Sequence, residues 1–351
     1  MRATAFLVHS GDIPALRGCL ADLEEVSDHP PSQAYCISAV DDCGFGMFST
    51  AAIARGDLIL CERPLLVYPQ LLPYRSSRQP LEQYPELQDL VSSMRPCDRD
   101  AFCGLANCHD PASVSLQKGI IDTNALDLGT LGSSNRPYGA VCRDISRINH
   151  SCTPNAVYRF DPTSFTFGVR ALHAIPPNAQ IFISYIDPAL PRSARQDALS
   201  PYGFTCACPA CSLTGPALAQ SEARRALIAR ADADVAARDA ALERWLVTPG
   251  IPDEYVNRVD RMYMDLFEKE GLYYESVWEG FAVRLCKACC ALGDREGAQR
   301  WAGLAAGLNR AYTGSDRGWA AVVEAPERTR YWGLKKTRHE DAGFPATAGA
   351  P

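Results

Sequence analysis

Hydrophobic spacing changes twice along the chain. Ile13, Leu16, Leu20 and Leu23 fall at helical intervals behind Asp12, which is placed to cap them, and this leading helix is expected to end near His29, Pro30 and Pro31. From Tyr35 to Tyr68 the pattern shortens to β-like runs at 35–38, 44–48 and 57–62, punctuated by glycine. Residues from about 69 to 111 are rich in Pro, Ser, Arg and Gln, with one helical hint at 81–94, and read as an insertion between strands. Strand character returns at 155–171. Val157, Tyr158 and Phe160 precede a turn at Asp161 and Pro162, and Phe165, Phe167 and Val169 then share one face, which predicts a hairpin. Beyond Cys211 the residues become Ala, Arg, Glu and Leu, and 226–245 and 253–270 each predict a helix. Val277, Phe281, Leu285 and Leu292, then Trp301, Leu304 and Leu308, form two apolar stripes separated by Gly293 to Ala298, the pattern of one tetratricopeptide-type hairpin.

Composition narrows what such an arrangement can do. The 351 residues are 47% hydrophobic, enough for one large core or two smaller ones. A net charge of −6, from 35 basic and 41 acidic residues, leaves no excess to neutralise a phosphate backbone, so nucleic acid is disfavoured and protein partners are expected. The first residues are apolar too briefly for an export signal, and no stretch approaches the ~18 apolar residues of a membrane span. A soluble protein of cytoplasm, nucleus or both is expected. Fifteen cysteines kept reduced there favour metal ligation over disulfides wherever they cluster.

They cluster at Cys206, Cys208 and Cys211, a tight loop supplying three thiolates of a tetrahedral zinc site. Cys152 is the candidate for the fourth. One ion shared between them would pin the loop after residue 200 to the turn after His150 and carry Tyr202 and Phe204 over whatever lies between. Tyr185 stands between these segments in sequence, within Ile181 to Asp187.

Asn149, His150, Ser151, Cys152, Pro154 and Asn155, then Ile183, Ser184 and Tyr185, then the cysteine loop, resemble in that order the SET-domain protein lysine methyltransferases. Gly44, Phe45 and Gly46, followed by Ile53 to Leu60 and Glu62 to Leu66, look like that family's opening strands. Alone, Gly44 and Gly46 would read as a tight turn and His150 as a core histidine; their company favours the family. The resemblance covers roughly residues 34–212, and the helical remainder looks like the carboxy-terminal domain of the SET-and-MYND subfamily. The fold it implies is α+β: a β-rich SET domain, a β-clip with a knot-like core, then a post-SET zinc loop and an all-α, tetratricopeptide-like domain. The implied division is a helical lead at 1–33, SET parts at 34–70 and 115–190, an insertion at 71–114, the zinc loop at 200–212, helices at 217–334 and a disordered tail at 335–351.

The resemblance further implies an enzyme, monomeric, transferring methyl from S-adenosylmethionine to a lysine of a protein substrate, with zinc on Cys152, Cys206, Cys208 and Cys211. Tyr185 and Tyr202 would be catalytic. Gly44, Phe45, Gly46, Met47, Asn124, Asn149, His150 and Phe204 would meet the cofactor, His150 and Asn149 by hydrogen bonds and Phe204 by stacking. A catalytically silent scaffold binding partners through its helices is the alternative. The subfamily's MYND module is missing: the insertion offers Cys97, Cys103, Cys108 and His109 at spacings unlike paired zinc ligands.

Overall fold

The computed structural model describes residues 4–336 apart from 22, 24–33, 42–43, 133, 232, 234 and 274–276. Strands too short to bury a face alone pair into three small sheets. The first joins β1 (Ala5–Phe6), β5 (Leu66–Pro69), β7 (Pro137–Val141) and β6 (Leu126–Thr130) in that order. The second joins β4 (Leu58–Glu62), β10 (Thr166–Ala171) and β9 (Ala156–Asp161), and β9–β10 is the hairpin read from the sequence. The third joins β2 (Tyr35–Val40), β3 (Gly44–Ser49), β11 (Gln180–Ile183) and β8 (Asn149–His150). Met47, Ile59, Phe167, Val169 and Ile181 meet in one core beneath them.

β8 runs parallel to β11, so the segment at 149–155 is laid along the strand that leads to Tyr185. Asn155 locks this contact from both sides: its Nδ2 donates to Gln180 O at 2.9 Å and its Oδ1 accepts from Phe182 N at 2.7 Å. Glu62, wholly buried, accepts from the backbone N–H groups of Asp144 and Ile145, fixing the turn that enters β8. A buried carboxylate is tolerated there because it is hydrogen-bonded.

The lead departs from its sequence reading. Residues 5–6 add a strand to the first sheet, and α1 (Ile13–Ala21) follows. Asp12 does not cap that helix; it is buried, accepting from Tyr138 Oη at 2.6 Å and Arg136 Nη1 at 3.0 Å. The predicted helix end near residues 29–31 lies outside the described residues. Between β5 and β6 run α2 (Pro80–Gln83), α3 (Pro85–Ser93), α4 (Pro96–Cys103) and α5 (Leu116–Asn124), the first three each beginning on a proline, whose fixed φ suits a first turn.

After α6 (Arg192–Leu199) come α7 (Gly215–Ile228), α8 (Val235–Val247), α9 (Asp253–Glu270), α10 (Trp278–Leu292), α11 (Arg295–Thr313) and α12 (Trp319–Glu324). The single helix expected at 226–245 is two, α7 ending at Ile228 and α8 starting at Val235. The α10–α11 hairpin turns on Gly293, at φ +66°, and on Asp294, whose side chain caps α11 by accepting from Gly297 N at 2.9 Å. The start of the tail expected to be disordered from 335 is ordered. Residues 334–336 are helical, and Lys335 is buried with its Nζ on Trp245 O and Thr248 O; 337–351 lie outside the described residues. No described helix is long and apolar enough to cross a membrane.

The helices are fastened to the sheets by Arg225. From α7 its Nε meets Glu270 at 2.9 Å, while its other nitrogens donate to Cys152 O, Pro188 O and Thr153 Oγ1, and both members of the ion pair are almost wholly buried. Without Arg225, Glu270 keeps Arg224 and Ser221, but Cys152 O and Pro188 O lose their buried donor. Arg225→Met is therefore expected to cost about 1–3 kcal/mol in unfolding free energy, whereas Arg75→Met, which breaks the exposed pair with Glu86, costs under about 1 kcal/mol. Denaturant unfolding of both variants measures the difference, and equal losses would contradict it.

Candidate active site and metal centre

Four sulfurs from distant parts of the chain meet at one point. The Sγ atoms of Cys152, Cys206, Cys208 and Cys211 all lie within 4.8 Å of one another, Cys152 being 3.6 Å from Cys211 and 4.0 Å from Cys206. A zinc tetrahedron with bonds of about 2.3 Å has edges of about 3.8 Å, so the set fits that ion with little adjustment. Such neighbours cannot all ionise unaided. Hydrogen bonding to Cys206 and Cys208, then burial, holds the Cys152 thiol far above its ordinary range, and the Cys152 and Cys206 thiols pull Cys208 far below. A dication at the centre resolves that conflict.

The surroundings match an anionic thiolate cluster. Arg195, wholly buried in α6, places Nη2 3.8 Å from Cys211 Sγ, and Gln196 clasps the backbone N–H and C=O of Cys206. Cys97, Cys103 and Cys108 are exposed, and the Cys152 set is the one metal-type group of His, Cys, Asp or Glu among the described residues.

His150 joins the cluster to the tyrosines. Its Nδ1 accepts from Tyr185 N at 3.0 Å, which assigns the ring proton to Nε2, 3.3 Å from Cys152 Sγ. Burial lowers its pKa to about 4, so the ring is neutral near pH 7. Both ring nitrogens are thus engaged within the protein. In this arrangement the His150 ring holds Tyr185 in place, which engages the side chain and not the residue's backbone groups.

Around it, His150, Tyr185, Tyr202 and Phe204 form a chain of rings with centroids 5.0–6.5 Å apart. Phe204 is 40% and Phe45 53% exposed, unusual for large apolar rings and suited to covering a flat ligand. Asn149 donates its Nδ2 to Phe45 O at 3.2 Å, linking β8 to the Gly44–Gly46 strand. At Gly46 a Cβ would lie 2.5 Å from Gln180 Nε2 and 3.1 Å from Asn149 Nδ2, so a side chain there would displace both, and Gly44 sits at φ +73°, a conformation that favours glycine. Met47 is fully buried in the core, which corrects its reading as a pocket residue: its side chain offers a ligand nothing. Asn124 lines a cavity, but its Nδ2 is committed to Ala106 O and Ile120 O.

That cavity is narrow, about 50 Å³, bounded by Tyr185, Tyr202, Ile148 and Asn124. It shares Tyr158, Ile183 and Ser184 with a groove of about 660 Å³ between the β9–β10 hairpin and helices α10 and α11. Tyr185 Oη donates to Ile148 O at 2.6 Å, leaving its lone pairs for another donor. Burial, then Tyr202 beside it, raises its pKa well above the ordinary phenol value, so it stays protonated through physiological pH. Sequence reasoning missed Tyr158, Glu62, Arg195 and Arg225. Tyr158 was read as a strand residue, and arginines in helices look like solvated surface until the fold shows them buried.

Residues 44–186 match the SET domain family. The chain is 26% identical over 183 residues to the histone-lysine N-methyltransferase set5 of Schizosaccharomyces pombe, an alignment covering 52% of this chain and 51% of that protein. It is 36% identical over 100 residues to the N-lysine methyltransferase SMYD2 of Homo sapiens, covering 28% and 21%, and 38% identical over 88 residues to that of Gallus gallus, covering 25% and 18%. The alignments thus span about half of set5 and about a fifth of SMYD2.

The sulfur cluster predicts about one zinc per chain after purification without added metal. Cys152→Ser is expected to weaken retention at least about tenfold against a chelator and to lower the melting temperature, as read by metal analysis and thermal scans. Full zinc content in that variant would contradict the four-sulfur assignment.

Proposed function

We propose that this chain, a SET-domain protein related to lysine methyltransferases, transfers methyl from S-adenosylmethionine to a lysine side chain of a protein. The observation that carries the reading is that the narrow cavity at Tyr185 and Tyr202 shares Tyr158, Ile183 and Ser184 with the large groove. A liquid water occupies about 30 Å³, so a cavity of about 50 Å³ admits a slender chain ending in an amine and excludes bulkier groups. The groove outside it is mostly apolar and aromatic, suited to a polypeptide segment around the lysine.

The cofactor's surroundings follow from the open edge of the site. Gly44 and Gly46 allow close approach of backbone, Asn149 holds the adjoining strand, and Phe204 presents a ring face. S-adenosylmethionine would supply an electrophilic methyl group on a positively charged sulfur. The protein's part is alignment and dehydration. A lysine with an ordinary pKa near 10.4 must lose its proton before attack, and a dry, tyrosine-walled channel lowers that pKa by desolvation. Tyr185, its own proton held by Ile148 O, accepts a hydrogen bond from the amine and aims it. It is not a base, because it remains protonated.

Zinc on the four cysteines would hold the Tyr202 and Phe204 segment against Tyr185. The scaffold alternative has no use for a phenol-lined channel joined to a groove. Isotope-labelled methyl transfer from S-adenosylmethionine onto a proteome extract, read by mass spectrometry, tests the proposal. Labelled methyl-lysine is expected from the intact chain, Tyr185→Phe should be slower by about 100-fold or more, and the rate should climb with pH as the amine deprotonates. Equal labelling by both proteins would refute the role of Tyr185, and no labelling by either would favour the scaffold.

A further inference from the structure

A second cavity, of about 410 Å³, adjoins the groove and shares Tyr273 with it. Arg55, from the turn after β3, and Arg300 and Arg310, from α11, line it against a single carboxylate, Glu268. In a chain of net charge −6 this is a local reversal of sign. Neither Arg55 nor Arg300 has a carboxylate partner among the described residues, and Arg310 reaches Asp316 only at 3.5 Å.

The arginines are held in place before any ligand arrives. Arg55 donates its Nε to Leu172 O at 2.8 Å and lies over the Tyr273 ring at 5.1 Å; Arg300 lies over the Trp301 ring at 5.1 Å. Stacking fixes a guanidinium plane while leaving donors at its rim, the geometry that grips carboxylate and phosphoryl oxygens. Glycines on α11 make the room. A Cβ at 307 would stand 3.0 Å from Arg55 Cδ, and one at 303 would meet nothing within 4 Å, so the helix leaves its side of the cavity open.

We propose that this cavity binds an anionic residue, bearing a carboxylate or a phosphoryl group, of the protein segment that lies in the groove. Tyr273 lines both spaces, so a polypeptide in the groove passes beside the cavity. A nucleic-acid strand fits less well, since the chain as a whole carries a net charge of −6. The identity of the occupant as substrate rests on the methyl-transfer reading; the anion site itself does not.

Short lysine-free peptides test the site apart from catalysis, with calorimetry on the full chain. One carries paired glutamates, one phosphoserines and one glutamines in their place. At least one anionic peptide is expected to bind about tenfold or more tightly than the glutamine peptide and to weaken between about 50 and 300 mM salt. Whichever anionic peptide binds more tightly identifies the group. Arg300→Glu should abolish the preference, and Gly303→Leu should do so by filling the space without a change of charge. Arg295→Glu, on the same helix but outside the cavity, should keep it. Equal binding of anionic and glutamine peptides, or a preference surviving in both cavity variants, overturns the proposal. Peptide binding without methyl transfer would count against the transfer reading alone, and transfer without peptide binding against the anion site alone.

Discussion

Four sulfurs brought within one coordination sphere are the constraint on which the rest of the site depends. Cys152 follows β8 directly, and Cys206, Cys208 and Cys211 follow the loop that carries Tyr202 and Phe204. Closing that loop on Cys152 sets Tyr202 against Tyr185, at a ring separation of 5.0 Å, and so makes one wall of the narrow cavity. His150 lies at the hinge of the arrangement. One ring nitrogen accepts from the backbone of Tyr185 and the other faces Cys152, so the sulfur cluster and the Tyr185 backbone are connected through a single neutral imidazole. Disturbing either end should therefore be felt at the other.

The helical part takes part in the site as well. Arg225 reaches from α7 to the carbonyl of Cys152, and Leu172 and Val157 of the sheet region pack into the helical core. The groove exists because α10 and α11 stand against the β9–β10 hairpin, and the narrow cavity adjoins it at Tyr158, Ile183 and Ser184. A polypeptide laid there would touch both halves of the molecule at once. The groove and the narrow cavity thus draw on both halves of the molecule, which Arg225 ties together.

Much of this was legible in the order of residues, because the signals were local. Three cysteines within six positions announce a metal loop, alternation at Phe165, Phe167 and Val169 announces a strand face, and the helical period at 253–270 coincides with α9. What escaped depends on contacts between distant segments. Asp12 has the sequence position of a cap, yet Tyr138, 126 residues away, takes its carboxylate. Met47 sits beside the Gly44–Gly46 pair, but its side chain is wholly buried in the core. His150 alone reads as a core histidine, and only the fold shows Tyr185 N and Cys152 Sγ beside its two ring nitrogens. The helix expected at 226–245 failed because alanine-rich sequence satisfies helical propensity on either side of a break, and propensity alone does not show where packing ends a helix.

X-ray absorption at the zinc edge of the purified chain tests the central claim most directly. Four sulfur scatterers at about 2.3 Å, with no nitrogen or oxygen neighbour, are the predicted first shell. A shell containing nitrogen or oxygen, or fewer than four sulfurs, would contradict the convergence from which the channel, its tyrosines and the proposed chemistry all follow.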